Sequence, residues 1–279
     1  MIKSCQYTAL ITGSNKGIGL GLVKQLLENK YFVIATCRNL SKAQELQDLQ
    51  KKYSKNLELM QLDITNINDI EQVKNCVKDT QIDFLINNAG VFGTFYKSVN
   101  DFNTTEFLNV INTNATYPML LTLKLLDNIL SSSKKTVIAI SSIFGSLGYI
   151  ANIKDFADIC HKFQTNKISE KFHKQVIASI ETPILPYSYS KSAINIMLSN
   201  LGLWFHDKKL KTLLLHPGNV ATDMTNNLPD KEYRISINES VSKIMQIIKN
   251  SDNYRTATFI DYQNQKIDDL LNSSPQLNL

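Results

Sequence analysis

Seven short runs of consecutive apolar residues are spaced along the chain, and most of the segments between them carry apolar residues at helical spacing. Strands that are apolar on both faces are typical of a parallel sheet covered by helices on its two sides. The pattern therefore predicts an α/β fold, a doubly wound parallel sheet in three α/β/α layers, with a ligand at the carboxyl ends of the strands. The predicted strands are residues 7–12, 32–37, 57–63, 84–90, 136–142, 212–218 and 257–261.

Two of the intervening segments predict helices clearly. Residues 41–53 begin with Ser41, which is a candidate N-cap. Residues 66–77 place four apolar side chains on one helical stripe, namely Ile67, Ile70, Val73 and Val77.

The length of 279 residues, with 43% hydrophobic side chains, is enough for one large core, so we expect a single domain over residues 1–279. Residues 149–181 contain no predicted strand but carry apolar residues at helical spacing. We interpret them as a helical insertion in this domain, near the substrate pocket. The polar end, residues 272–279, is expected to be loose.

Composition argues against several function classes. The four cysteines are far apart in sequence, which favours reduced thiols and predicts no metal site. The net charge of +5 is scattered, so nucleic acid is not an expected partner. Residues 117–130 are the most membrane-like stretch, but they contain Lys124 and Asp127 and are too short to span a bilayer. The first residues lack the pattern of a secretion signal, so we expect a cytoplasmic protein without a membrane partner.

Gly13, Gly17 and Gly19 follow the first predicted strand and precede a predicted helix. Glycines in such a turn let a pyrophosphate approach the backbone, where its charge lies at the positive end of the helix. Taken alone, this pattern is equally compatible with a structural tight turn.

Four further motifs occur in order along nearly the whole chain: NNAG at 87–90, ISS at 140–142, YSYSK at 187–191 and HPGNVATDM at 216–224. Together with TGSNKGIG at 12–19, they resemble the short-chain dehydrogenase/reductase family, and most closely its carbonyl-reductase, sniffer-like and C-factor-like members. The resemblance implies a Rossmann fold and hydride transfer between a nicotinamide cofactor and a carbonyl or alcohol group.

The resemblance also implies the catalytic residues. Tyr187 would protonate the carbonyl oxygen, and Lys191 would lower the pKa of that phenol and bind the nicotinamide ribose. Both residues begin a predicted helix, where a four-residue step places their side chains on one face. A second Tyr-xxx-Lys pair, Tyr262 and Lys266, follows the last predicted strand and is not favoured.

Two further positions carry alternatives. Ser142 matches the serine that stabilises the developing oxyanion, with Ser141 as its neighbour, and only one of the two can face the pocket because strand side chains alternate. The supporting asparagine of the family is predicted to be Asn112, with Asn114 two residues on as the alternative.

The cofactor is predicted to be NADPH. The second strand ends in Cys37 and Arg38 rather than in the acid typical of NAD-preferring relatives, and both Arg38 and Lys16 could bind a 2′-phosphate. The complete set of predicted cofactor residues is Gly13, Ser14, Lys16, Gly17, Ile18, Gly19, Arg38, Asp63, Ile64, Asn87, Ala89, Gly90, Tyr187, Lys191, Pro217, Gly218, Val220 and Thr222.

The function that these features predict is NADPH-dependent reduction of an aldehyde or ketone, with Ser142, Tyr187, Lys191 and Asn112 as the catalytic set. The partner is a small molecule, and the protein is expected to be a monomer or a homodimer. Two alternatives stay open: a dinucleotide-sensing protein, and a signalling protein in which catalysis is incidental. The four histidines show neither metal-ligand nor triad spacing: His161, His173, His206 and His216.

Overall fold

The computed structural model describes residues 5–94, 98–151, 184–226 and 234–267. Within these residues a single sheet has seven parallel strands in the order β3-β2-β1-β4-β5-β6-β7. The predicted α/β fold with a doubly wound parallel sheet is confirmed. The strands are β1 Thr8–Ile11, β2 Phe32–Cys37, β3 Leu57–Gln61, β4 Phe84–Asn87, β5 Thr136–Ile140, β6 Lys211–His216 and β7 Thr258–Asp261.

Five of the strands end before the apolar runs that predicted them. The run at 84–90 shows the reason, because β4 ends at Asn87 and the next two backbone N–H groups, of Asn88 and Ala89, donate to the Thr12 hydroxyl rather than to a neighbouring strand. The residues at these carboxyl ends therefore belong to loops, and their hydrogen bonds join one loop to another rather than one strand to the next.

Helices cover both faces of the sheet. Buried side chains of α1, α2 and α9 form one apolar cluster with the sheet, and those of α3, α5, α6 and α8 form a second cluster on the other face. The three layers follow from this arrangement. The α-helices within the described residues are α1 Gly17–Glu28, α2 Gln44–Lys52, α3 Ile67–Cys76, α4 Thr104–Ile111, α5 Tyr117–Lys124, α6 Leu126–Leu130, α7 Leu147–Ala151, α8 Leu185–Trp204 and α9 Ile237–Lys249.

Two local expectations were wrong. Ser41 is not the N-cap of α2, because its hydroxyl donates to the Asn39 side chain within a short 3₁₀ turn and the helix starts only at Gln44. Ile67 is 52% exposed although it begins the apolar stripe of α3, whereas Ile70 and Val73 are buried as predicted. A residue in the first turn of a helix can point past the edge of the sheet.

The order of the strands places a crevice between β1 and β4. The chain fills the sheet in one direction from β1 to β3 and in the opposite direction from β4 to β7. The connections that leave the carboxyl ends of β1 and β4 therefore diverge to opposite sides, and ligands of doubly wound folds bind in the crevice that this leaves.

Of the predicted insertion at 149–181, only residues 149–151 are described, and the rest lies outside the described residues. The predicted tail at 272–279 also lies outside them. Within the described part of the chain, no helix combines the length and the apolar character that crossing a bilayer demands.

Asp83 anchors the amino-terminal edge of the sheet, opposite the crevice. Its carboxylate is buried and accepts hydrogen bonds from the backbone N–H groups of Thr8 at 2.9 Å, Ser133 at 3.1 Å and Lys134 at 3.2 Å. The Ser133 hydroxyl donates to it as well, at 2.7 Å. One buried charge thus joins the start of β1 to the loop before β5.

Replacing this carboxylate should destabilise the fold. In Asp83→Asn an NH2 group faces at least one N–H donor, so we expect the free energy of unfolding to fall by roughly 2–4 kcal/mol in urea titrations. The exposed Asp79→Asn variant is the matched control and should stay within about 0.5 kcal/mol of the parent. Equal stability of the two variants would contradict the anchoring role of Asp83.

Candidate active site

The glycine turn after β1 is held tightly against the loop after β4. Gly13 has φ +68°, and a Cβ atom built on it would lie 2.9 Å from the Ala89 Cα, so both the conformation and the space require glycine. Ser14 fixes the turn through its N–H, which donates to the Thr36 carbonyl at 2.9 Å, and through its hydroxyl, which donates to the Ile11 carbonyl at 3.0 Å. Ser14, which was predicted to contact the cofactor, thus uses its side chain to shape the turn.

The start of α1 offers N–H groups to an anion. The first N–H groups of an α-helix have no partner within the helix, and the Lys16 side chain at the N-cap makes no hydrogen bond to them. These first N–H groups are those of Gly17, Ile18 and Gly19. A Cβ on Gly17 would contact Thr222 Cγ2 at 3.5 Å, so the loop after β6 lies directly over this turn. The bare, positively polarised backbone fits the pyrophosphate of a dinucleotide.

The two cations predicted to select the cofactor differ in their surroundings. Lys16 forms an ion pair with Asp223 in the loop after β6, with 2.8 Å between Nζ and Oδ2, and both side chains are largely exposed. This pair bridges the mouth of the crevice and contributes little to stability because water screens it. Arg38 is exposed directly after β2, at the position where an adenine ribose is bound in folds of this kind.

Two predicted cofactor residues use their side chains in hydrogen bonds within the protein. Asn87 is buried and its amide donates to Thr122 Oγ1 at 3.0 Å. The Asp63 carboxylate accepts from the Thr65 N–H and hydroxyl, which closes a turn after β3. The remaining predicted members follow the carboxyl ends of β3, β4 and β6: Ile64, Ala89, Gly90, Pro217, Gly218 and Val220.

Thr12 and Asn88 were missed by the sequence reasoning although they join two of the motifs. The buried Thr12 hydroxyl accepts the N–H groups of Asn88 and Ala89, each at 3.0 Å. The Asn88 amide donates back to the carbonyls of Thr12 at 2.8 Å and Gly13 at 3.0 Å. Their membership of TGSNKGIG and NNAG was the only signal in the sequence.

Tyr187 and Lys191 lie one turn apart at the start of α8, beside the carboxyl end of β5. Lys191 is only 6% exposed, and its Nζ donates to the Ile140 carbonyl at 2.7 Å. The same Nζ lies 5.5 Å from the centroid of the Tyr187 ring. The structure thus brings the predicted pair together at the crevice edge of the sheet.

Burial changes the pKa values of both groups. It lowers the pKa of Lys191 to about 8, so the amine remains largely protonated at neutral pH. It also raises the pKa of Tyr187 to about 12, and a hydrogen bond with Ser142 acts in the opposite direction. The expected lowering of the Tyr187 pKa was therefore wrong for the protein alone, because desolvation of the phenolate outweighs the groups that would stabilise it.

The two serines after β5 serve different partners. Ser141 is buried and its hydroxyl donates to the Asn195 side chain at 2.6 Å. Ser142 is also buried, and it is the hydroxyl that reaches Tyr187. Of the two candidates, Ser142 is the one joined to Tyr187.

Asn114, rather than the predicted Asn112, is joined to the other site residues. The helix widens into a π turn at Asn112–Thr116, and the buried Asn114 amide accepts from the Val91 N–H and donates to the Val91 carbonyl, both at 2.8 Å. It also donates to Ser190 Oγ at 2.9 Å. Within the described part of the chain, the half-buried Asn112 side chain has no hydrogen-bond partner.

The second Tyr-xxx-Lys pair does not lie on α8. Tyr262 directly follows β7, the last strand of the sheet, and its ring lies 5.1 Å from the Lys243 Nζ. The ring also packs against Gly218 in the loop after β6, where a Cβ atom on the glycine would be 3.0 Å from the ring. Among the described residues, no group of three His, Cys, Asp or Glu side chains is arranged to hold a metal ion.

A family model described as short chain dehydrogenase matches residues 7–154. The chain belongs to the short-chain dehydrogenase family. The match includes the glycine turn, NNAG and Ser142, which are the parts of the crevice that precede α8. The predicted family is confirmed.

Relatives and solved structures of this family align with nearly the whole chain. A 3-oxoacyl-acyl-carrier-protein reductase of Buchnera aphidicola is 27% identical over 93% of this chain and 96% of its own. The NADPH-bound carbonyl reductase from chicken fatty liver is 26% identical, with a TM-score of 0.74 over 94% of this chain and 98% of its own. The carbonyl reductase Sniffer of Drosophila melanogaster is 26% identical, with a TM-score of 0.72 over the same shares.

His216 ends β6 next to the Pro217-Gly218 turn and lies opposite Asp261 of β7. Its Nδ1 is buried and has no hydrogen-bond partner within the described part of the chain. Burial lowers the pKa of His216 to about 4, so the imidazole is neutral at physiological pH.

This histidine should make the fold sensitive to mild acid. Below pH 6.5 the unfolded chain takes up a proton at His216 while the folded protein does not, so stability falls with pH until the folded pKa is reached. Between pH 7 and pH 5 we expect the parent to lose about 2 kcal/mol more than His216→Asn, measured by urea unfolding at both pH values. Identical pH dependence in both proteins would show that His216 protonates freely when folded.

Proposed function

We propose that this protein is an NADPH-dependent reductase of aldehydes or ketones. The observation that carries the proposal is the cluster of Tyr187, Lys191 and Ser142, which lies beside the glycine turn at the same edge of the sheet. The cluster combines a proton donor, a buried cation and a hydroxyl, which are the groups that reduction of a carbonyl requires. A small carbonyl compound is therefore the proposed partner.

The crevice fits a dinucleotide through residues already described. The N–H groups at the start of α1 would hold the pyrophosphate, Thr222 and Lys191 would contact the nicotinamide half, and Arg38 lies where the adenine ribose would be bound. When bound, the nicotinamide supplies hydride to the carbonyl carbon.

Tyr187 would donate its phenolic proton to the carbonyl oxygen of the substrate. A phenol with a pKa raised to about 12 keeps that proton at neutral pH, so the proton is present for transfer to a carbonyl. Ser142 would donate a second hydrogen bond to the same oxygen as its negative charge develops. Lys191, held by the Ile140 carbonyl, places positive charge beside the phenolate that the transfer leaves behind.

The preference for NADPH is proposed from Arg38 and from the absence of an acid at the end of β2. A guanidinium forms paired hydrogen bonds with a phosphate, whereas an acid at this place would repel one. NADPH is also the cofactor of the chicken carbonyl reductase to which the chain is similar. Asn114 is proposed as the supporting asparagine. A cytoplasmic location and a monomeric or homodimeric state stay predictions.

Replacing the proposed acid should abolish turnover without loss of the cofactor. We expect Tyr187→Phe to lose at least ~100-fold in kcat on a panel of aldehydes and ketones, followed by NADPH absorbance, with NADPH affinity within about threefold of the parent. Cofactor binding is measured separately by fluorescence titration.

The matched control for this variant is Tyr189→Phe, because Tyr189 lies on the same helix and is 58% exposed. It should turn over like the parent. A parent that reduces no member of the panel, or a Tyr187→Phe variant as fast as the parent, would refute the proposed function and leave the dinucleotide-sensing alternative.

Changing the charge after β2 should alter the choice of cofactor. In Arg38→Asp the side chain repels a 2′-phosphate and accepts from a 2′-hydroxyl, so we expect the ratio of NADPH to NADH affinities to fall by at least ~30-fold, on the order of 2 kcal/mol. Lys42→Asp, in the exposed turn at Leu40–Lys42, is the control for the same charge change nearby. An equal shift in both variants would assign the effect to general electrostatics instead of Arg38.

A further inference from the structure

Phe92 stacks on the ring of Tyr187. The ring centroids are 4.6 Å apart and the planes meet at 27°, which is the geometry of an offset stack. Phe92 lies two residues after NNAG, in the loop that follows β4, and its side chain is partly buried. The catalytic scheme proposed above gives this ring no task.

Short hydrogen bonds hold the loop on both sides of Phe92. On one side, Val91 exchanges two hydrogen bonds of 2.8 Å with the Asn114 amide. On the other side, the Thr94 N–H donates to the Glu106 carboxylate at 2.6 Å. Gly93, between them, has φ +80°, and a Cβ there would lie 2.9 Å from Val110, so the loop is also closely packed on α4.

The same asparagine connects this loop to the backbone of Tyr187. Asn114 donates to Ser190 Oγ at 2.9 Å, and Ser190 in turn donates to the Tyr187 carbonyl at 2.7 Å. The backbone beside Phe92 and the backbone that carries Tyr187 therefore share one hydrogen-bonded frame. The distance between the two rings is therefore set by these backbone hydrogen bonds as well as by the contact between the rings.

We infer that Phe92 is a positioning residue for the reaction proposed above, and that its ring keeps the phenol of Tyr187 turned toward Ser142 and Lys191. A tyrosine ring is set by two side-chain torsions, and an aromatic pair adds about 0.5–1.5 kcal/mol beyond the area that it buries. Lys191 and Ser142 contact the ring and the hydroxyl, while Phe92 supplies the contact that opposes rotation of the ring. A shift of about 1 Å in a reacting group can cost on the order of 100-fold in rate.

The inference rests on the proposed function. It distinguishes a positioning role of Phe92 from the role of a residue that merely lines the substrate pocket. A wall residue acts on substrate affinity, so its loss raises KM. A positioning residue acts through Tyr187, so its loss lowers kcat, and the loss disappears once the Tyr187 hydroxyl is gone.

The variants are Phe92→Leu, which keeps apolar volume without an aromatic face, and Phe92→Tyr, which restores the face. Phe92→Leu should lower kcat by roughly 10- to 100-fold, with KM and NADPH affinity within about threefold, and Phe92→Tyr should return kcat to within about threefold of the parent. In the Tyr187→Phe background, Phe92→Leu should cause no further loss of residual turnover.

The matched control is Phe107→Leu. Phe107 contacts Tyr189, with ring centroids 5.3 Å apart, so this variant removes an aromatic neighbour from a tyrosine of the same helix that has no proposed role. Its kcat should equal that of the parent. An unchanged kcat in Phe92→Leu, a rise in KM alone, or additive losses in the double variant would overturn the inference.

A second measurement separates this inference from the proposed function. In the parent and in Phe92→Leu alike, the phenolate absorbance of Tyr187 is the difference between the pH titrations recorded without and with the Tyr187→Phe change, and it needs no substrate. If the parent reduces no carbonyl, the proposed function fails, and the titration alone decides whether Phe92 shields Tyr187. In Phe92→Leu water should reach the phenol, so we expect Tyr187 to titrate at lower pH than in the parent. A titration at the parent's pH would then overturn the role of Phe92.

Discussion

The amine of Lys191 lies where water scarcely reaches it, with 6% of the residue exposed. A protonated amine in such a place costs several kcal/mol unless nearby groups compensate for the lost hydration. Here the Ile140 carbonyl and the face of the Tyr187 ring provide that compensation. The Tyr187 ring lies on the same helix as Lys191, whereas the Ile140 carbonyl comes into reach only when α8 docks on the carboxyl end of β5. A Cβ on Gly145 would lie 2.8 Å from the Lys191 backbone, so the docking is also tight enough to exclude a side chain between them.

The rest of the site extends from this docked helix across the crevice. Ser190 and Asn114 connect α8 to the loop after β4, and Asn88 and Thr12 connect that loop to the glycine turn. The hydrogen bonds thus run from the candidate proton donor to the candidate phosphate cradle through the ends of two strands, β4 and β1. Since each strand is buried in a parallel sheet, none of these ends can move without disturbing its neighbours.

The sequence was sufficient for the strands and for the clustering of the motifs, because buried parallel strands are continuous apolar runs and their carboxyl ends meet at one edge. It was insufficient where the outcome depends on an irregular backbone or a distant partner. Asn112 and Asn114 both lie in an irregular π turn, and the sequence pattern did not show which of the two side chains meets Val91 and Ser190. The stack of Phe92 on Tyr187 joins residues about 95 positions apart, and nothing local predicts it. The pKa of Tyr187 depends on how much water the fold excludes, which a motif does not encode.

Asp83 lies at one end of the strands and the crevice lies at the other. The interactions that hold the sheet together at its amino-terminal edge are therefore independent of the residues that would meet cofactor and substrate. Evolution can exchange side chains around the crevice, and so change the molecule that is recognised, while the opposite edge keeps the scaffold intact. In this chain, the Asp83 anchor can therefore stay constant while the specificity of the opposite edge changes.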